Sequence, residues 1–356
     1  MTRSFTSALL GGTALAGLCA FGAQAQTPLK APPPQFSSVD ARGVDLTNGK
    51  LITSITPVQI GDPNGAGIAY SRTYYNTQYR DNVTGTLTLT SGVYYLSIGG
   101  STDTFTKSGT TFSPTRNVGQ TLVQSGTTLT YTASDGTRAI FSTALADRTL
   151  PLPLTEGNIG RITSLRRPNG ETWTFTYDVA FNEVEGQTDF WVIRLRQVDS
   201  NYGYALRLTY VDDSDNVSYS GIDNWRKLLT VTAFNLADCV SLASCPAGTT
   251  WPSATFSGSN ITDQSGRAIF LGSTGTGAMA IRMPANPTVD APSVAYDTTT
   301  SRVTALSNAG GTWNYVWSEA SGVRTATVTD PASGFRSRRR RSAQACLLRA
   351  RINSAG

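Results

Sequence analysis

Apolar and polar positions alternate with a period of two along most of this chain, the period of strands rather than helices. The pattern is sharpest in RITSLRRPNGETWTFTY, Arg161 to Tyr177. Two strand-forming runs flank Pro168-Asn169-Gly170, where proline presets the first turn torsion and Asn-Gly accepts the positive φ of a tight hairpin. In the second arm Trp173, Phe175 and Tyr177 alternate with threonines, which puts three rings on one face of a strand. The pattern returns 141 residues later as RVTALSNAGGTWNYVW, Arg302 to Trp317. Both copies read R-[IV]-T-[SA]-L, a Gly-containing turn, then T-W-x-[FY]-x-[YW], with one residue fewer in the second turn. A looser copy, WVIRLRQVDSNYGYALRLTY, spans 191–210 and places Leu206, Leu208 and Tyr210 on one face.

The same alternation organises the rest. Strand patterns begin near Val39, with a hairpin signal at Asn48-Gly49, and AYSRTYYN carries Tyr70, Tyr74 and Tyr75 in a strand expected to be buried. Between 84 and 143, turns at Ser91-Gly92, Gly99-Gly100, Ser108-Gly109, Ser125-Gly126 and Asp135-Gly136 predict successive hairpins. Two prolines break the pattern in 144–158 and suggest a domain boundary. Further strands are expected at 227–234, 265–272, 278–284, 292–297 and 302–317, and a last one ends at Pro331. Residues 211–225 read as polar and turn-rich. The fold class is therefore all-β: antiparallel hairpins, sandwich-like at first, then a longer hairpin-repeat sheet.

The expected division is a signal peptide at 1–25, a Pro-rich spacer at 26–38, an N-terminal β-hairpin domain at 39–145, a repeat sheet at 146–331 and an Arg-rich tail at 332–356. The first segment pairs one positive charge with an apolar run, then offers Ala23-Gln24-Ala25 as a small-x-small cleavage site. That predicts export to the periplasm, the cell surface or the medium, with no membrane span after cleavage. The formal charge of +5 belongs to the tail: residues 26–331 hold 21 basic and 24 acidic residues, a net of −3. In an oxidising compartment Cys239 and Cys245, six apart, suit a disulfide.

Candidate chemistry is sparse. The chain has no histidine, which removes Ser-His-Asp triads, Cys-His dyads and histidine metal sites. Five glutamates, Glu156, Glu171, Glu183, Glu185 and Glu319, leave paired-carboxylate chemistry open in principle, but the expected place of each is solvated surface. Asp212, Asp213 and Asp215 in VDDSDN suggest a plain solvated turn, with calcium the sharper alternative. Arg338 to Arg341 form a basic run, yet the acidic body argues against nucleic acid as a partner. No Gly-rich phosphate loop opens a helix. The expectation is no enzyme, no cofactor and no metal. The rings of Trp173, Phe175, Tyr177, Trp313, Tyr315 and Trp317 offer either packing or a stacking surface for cell-surface glycans, and regular alternation favours packing.

GRITSLRRPNGETWTFTYD, 160–178, resembles the tyrosine–aspartate (YD) repeat of RHS proteins and teneurins. The residues that carry the likeness are Gly160, Arg161, Gly170, Trp173, Phe175, Tyr177 and Asp178, and in the second copy Arg302, Trp313, Tyr315 and Trp317, where Ser318 replaces the aspartate. VDARGVDLTNGKL (39–51), DGTRAIF (135–141) and the cysteine loop are similar to features of exported bacterial members of this family. The resemblance covers about 39–331 and implies hairpins added to a sheet that spirals into a shell, a scaffold that houses or delivers a C-terminal effector. Its partners would be further repeats and that effector. The family's self-cleaving closing region has no counterpart here, so no catalytic residue carries over. After Asp330-Pro331 the alternation gives way to arginine-rich, strand-poor sequence, which suggests a frameshift or early end within a longer gene.

Overall fold

The computed structural model of the full chain describes residues 38–62, 65–75, 78–116, 118–149, 157–182, 190–239, 244–246, 248–258, 260–273, 279–320, 323–331 and 334–341. The expected signal segment with Ala23 and Ala25, nearly all of the expected spacer, the tail beyond 341, and Glu156, Glu183 and Glu185 lie outside them. Within them the chain is all-β, with antiparallel sheets. No helix among the described residues is long and apolar enough to cross a membrane.

A first sheet holds β1 (Ile52–Gly61), β2 (Gly67–Tyr75) and β3 (Gln78–Asp81). The meander that follows contains β4 (Gly85–Thr90), β5 (Val93–Ile98), β6 (Ser101–Ser108), β7 (Thr111–Pro114), β8 (Thr121–Ser125), β9 (Thr128–Thr132) and β10 (Arg138–Ser142). Its hairpins turn where the Gly-containing dipeptides predict. At the β4–β5 corner Ser91 and Gly92 have φ of 50° and 77°, the two left-handed torsions that match the twist of the flanking strands. Alternation does the rest: Leu129 and Tyr131 of β9, and Ala139 and Phe141 of β10, point inward while their threonine, serine and arginine neighbours stay outside the core.

After a two-residue strand β11 (Arg148–Thr149), β12 (Gly157–Arg166) closes the sheet on itself. It pairs with β10 through Arg161–Arg166 and with β4 through Gly157–Arg161. Residues 145/146, the expected boundary, therefore fall in a short helical turn between strands of one continuous sheet. The sheet then extends strand by strand through β13 (Thr172–Asn182), β14 (Phe190–Ser200), β15 (Tyr204–Tyr210), β16 (Leu228–Asn235), β17 (Ser253–Ser257), β18 (Asn260–Asp263), β19 (Ala268–Ser273), β20 (Met279–Met283) and β21 (Asn286–Asp290). A separate five-stranded sheet follows: β22 (Ser293–Tyr296), β23 (Val303–Asn308), β24 (Gly311–Ala320), β25 (Val323–Asp330) and β26 (Gly334–Arg341).

The first sheet packs over β15–β18, with Tyr70 meeting Phe256 edge to face at 5.6 Å. One apolar cluster runs from Val44 to Ala326 and draws buried side chains from all three sheets. Each large apolar side chain removed from water there contributes about 1.5–3 kcal/mol.

Four sequence expectations need correction. Val39–Leu51 forms isolated bridges around a turn, not a strand pair, because Asp45 folds its carboxylate onto Thr47 and Asn48. Of the three tyrosines expected to be buried in β2, Tyr70 and Tyr74 are, whereas Tyr75 at the strand end is half-exposed. The polar stretch 211–225 carries a short helix α1 (Ile222–Arg226), whose Trp225 is buried. The arginine run expected to be strand-poor supplies β26, which pairs with β25 from Asp330↔Gly334 to Val323↔Arg341.

Candidate functional site

The sequence singles out the β12–β13 hairpin, and its geometry follows from its turn. Gly170 sits at φ +89°, its N–H donates to the Arg167 carbonyl at 3.0 Å, and the Arg167 N–H donates to the Glu171 carbonyl at 2.8 Å. This closure sets Leu165 opposite Trp173. Trp173 and Phe175 are then buried side by side, with ring centroids 6.5 Å apart. Tyr177, two residues further on, donates its hydroxyl to the Ile162 carbonyl at 2.7 Å. Gly160 lies at the register shift against β4, where a Cβ would approach the Ser142 carbonyl to 2.9 Å.

The other two hairpins repeat this arrangement. In β23–β24, Leu306 faces Trp313, and the Trp317 indole donates to the Val303 carbonyl at 2.7 Å. In β14–β15, Val198 faces Leu206, and the Tyr210 hydroxyl donates to the Leu195 carbonyl. Leu165, Val198 and Leu306 stand three residues after Ile162, Leu195 and Val303; Tyr177, Tyr210 and Trp317 stand four after Trp173, Leu206 and Trp313. The looser copy is thus built like the two clear ones. Each begins with an arginine, Arg161, Arg194 or Arg302. The pattern R-[ILV]-x-x-[LV], turn, then an aromatic four residues after the cross-strand partner describes all three.

Asp178 has a distinct part. It lies opposite Arg194, the leading arginine of the next hairpin, accepts from Arg194 at 3.3 Å and forms an ion pair with Arg196 at 3.3 Å. The aromatic residue therefore ties a hairpin to itself, and the aspartate ties it to its successor. In the last copy Ser318 stands in that place and faces Thr325.

Glu171 is not solvated surface. It is 1% exposed and accepts from the Trp173 indole at 2.8 Å, the Ser200 hydroxyl at 3.3 Å and Arg167 at 2.7 Å. Its position beside a turn hid this, since the next strand folds back over it. The second copy has no such carboxylate: the Trp313 indole N–H is without a partner among the described residues, and the Arg42 guanidinium covers its ring at 4.3 Å. Tyr315 is buried, stacks on Trp317 and donates to Asp40 at 2.8 Å. Glu319 is half-exposed and pairs with Arg324 at 3.0 Å.

Asp213 accepts from Arg194 at 2.6 Å and Arg196 at 2.8 Å, and its carboxyl is held below the ordinary range chiefly by the Arg196 hydrogen bond. Asp212 closes its own turn onto Ser214, which lowers its carboxyl in the same way. These bonds engage Asp212 and Asp213, while Asp215 is exposed and accepts from the Phe181 N–H through its backbone carbonyl; no cluster of three or more His, Cys, Asp or Glu suited to a metal occurs among the described residues. Cys239 and Cys245 are disulfide-bonded, with Cys239 packed against Phe234 and Ala205.

The leading arginines and closing tyrosines of the first two hairpins meet in one cavity of about 360 Å³. Arg161, Tyr177, Arg194, Leu195, Leu208 and Tyr210 line it on one side. Tyr70, Arg72, Tyr79 and Asp81 of the first sheet, with Asp147 and Arg226, complete the wall. Burial pushes the hydroxyls of Tyr70, Tyr177 and Tyr210 well above their ordinary range; Arg161 partly offsets this at Tyr177 and Arg194 at Tyr210. Sequence reasoning missed this cavity. Only the pairing of β12 with β4 and the packing of β2 over β15 bring these residues together.

No protein-family model matches the chain, and no curated protein does. The site is therefore interpreted from its own geometry and from the motif.

Proposed function

We propose that the chain is an exported, non-enzymatic scaffold of the RHS/YD-repeat kind, whose hairpins add to a sheet that builds a shell around an effector. The observation that carries this is the shared unit of the three hairpins: one register and one cross-strand bond from an aromatic side chain to a backbone carbonyl. Residues with this much identical structural work suit a modular frame, in which a repeated unit adds to the sheet edge of the one before it. The Tyr177-Asp178 pair adds support, since its aspartate bonds to the next unit. Export follows from the signal-like first 25 residues and accords with a disulfide at Cys239–Cys245.

The competing function is a secreted carbohydrate- or surface-binding module. It requires aromatic faces open to sugar rings, whereas Trp173 and Phe175 are 3% and 7% exposed and Trp317 is stacked on Tyr315. A glycan array probed with the full chain separates the two. The scaffold account expects no saturable binding. Saturable binding that disappears in Trp173→Ala, with the fold intact by circular dichroism, would replace it with the binding module.

A further inference from the structure

The cavity wall carries four arginines, Arg72, Arg161, Arg194 and Arg226, against two aspartates, Asp81 and Asp147. Both aspartates are already engaged. Asp147 accepts from the Ile193 N–H at 3.0 Å, Arg161 at 2.8 Å and Arg226 at 2.9 Å. Asp81 lies across the ladder from Arg72 but accepts from the Val83 N–H at 3.1 Å, the Thr84 N–H at 2.6 Å and the Thr84 hydroxyl at 2.9 Å. Arg194 is satisfied by Asp178, Asp213 and the carbonyls of Asp212 and Trp225.

Arg161 is left with one unmet donor, and Arg72 with hydrogen bonds to Tyr70 and Tyr74 but no carboxylate. Arg161 is 8% exposed, and its buried Nη1 has no hydrogen-bond partner among the described residues. Arg72 is 7% exposed; its Nε donates to the Tyr70 hydroxyl at 3.0 Å, and the rings of Tyr79 and Phe256 each lie 4.0 Å away. No carboxylate within 4.0 Å of Arg72 is found among the described residues. A buried guanidinium without a carboxylate partner is costly, and Arg72, in a wall that carries four arginines against two aspartates, marks a place for negative charge. A cavity of about 360 Å³ exceeds the roughly 30 Å³ share of one water many times over.

We propose that this cavity binds a small oxyanion, held by the guanidinium groups of Arg161 and Arg226, with Arg72 supplying counter-charge. Planar guanidinium forks suit carboxylate and phosphate alike. The Arg226 side chain is 41% exposed, which leaves the site a route to solvent. The proposal stands independently of the scaffold role.

Isothermal titration calorimetry of the full chain with sodium phosphate, sodium acetate and sodium chloride at matched ionic strength tests it. Saturable binding is expected for phosphate or acetate and not for chloride, and the stronger arm identifies a phosphoryl or a carboxylate ligand. Arg161→Lys keeps a cation beside Asp147 but removes the guanidinium fork, and is expected to weaken binding by at least about tenfold. Arg226→Gln, at a half-exposed position that the fold tolerates, is expected to weaken it by roughly the same factor. Non-saturating heats for both oxyanions, or affinity unchanged in either variant, overturns the site.

Discussion

Tyr177 and Tyr210 direct their hydroxyls to a backbone carbonyl across the hairpin, so the phenols are buried as donors and not as anions. The same preference for the protonated form holds at Tyr70, Tyr74, Tyr131 and Tyr315, where burial is the leading cause and Asp103 and Asp40 add to it at Tyr131 and Tyr315. Raised folded-state values mean that the native chain holds these protons more tightly than the unfolded chain does. Their stabilisation is complete below the unfolded value, about pH 10, and is lost as pH rises above it. Alkaline titration followed by tyrosinate absorbance and circular dichroism is predicted to show buried tyrosines ionising only as the sheet signal collapses. Ionisation of all tyrosines near pH 10 with the sheet intact would contradict it.

At the scale of elements, the hairpins were legible because their signals are local. Asn169-Gly170 and Ser91-Gly92 name their own turns, and alternation names the faces of β9, β10 and β13. Failures occurred where a distant contact decides the outcome. Glu171 looks like a turn residue until Ser200 of β14 reaches it, and Trp225 looks like part of a loop until Arg194 lies against it at 4.2 Å. The arginine cavity left no local trace, since Arg72, Arg161 and Arg194 meet only through tertiary packing. The cysteine pair was legible because its six-residue spacing and the signal-like sequence at the N-terminus point the same way. Its loop is short, so the disulfide is predicted to contribute about 2 kcal/mol. Cys239→Ser/Cys245→Ser should lower the urea midpoint by a corresponding amount while the circular dichroism spectrum stays unchanged. A globally unfolded double variant would show that the bond holds more than its loop.

Across the whole molecule, one apolar cluster links sheets whose strands are far apart in sequence. Asp40 and Thr47 near the start of the described chain bond to Tyr315 and Arg324 near its end. The three hairpins are thus repeated parts of a connected frame, and the proposed scaffold role rests on their closing bonds being structural. The most direct measurement compares the unfolding of Tyr177→Phe, Tyr210→Phe and Trp317→Phe with the parent chain in urea. Each tyrosine variant keeps its ring and loses one hydrogen bond to a carbonyl, a predicted cost of about 1 kcal/mol apiece; Trp317→Phe should lose more, because ring volume goes with the bond. Stability unchanged in all three variants would contradict the account.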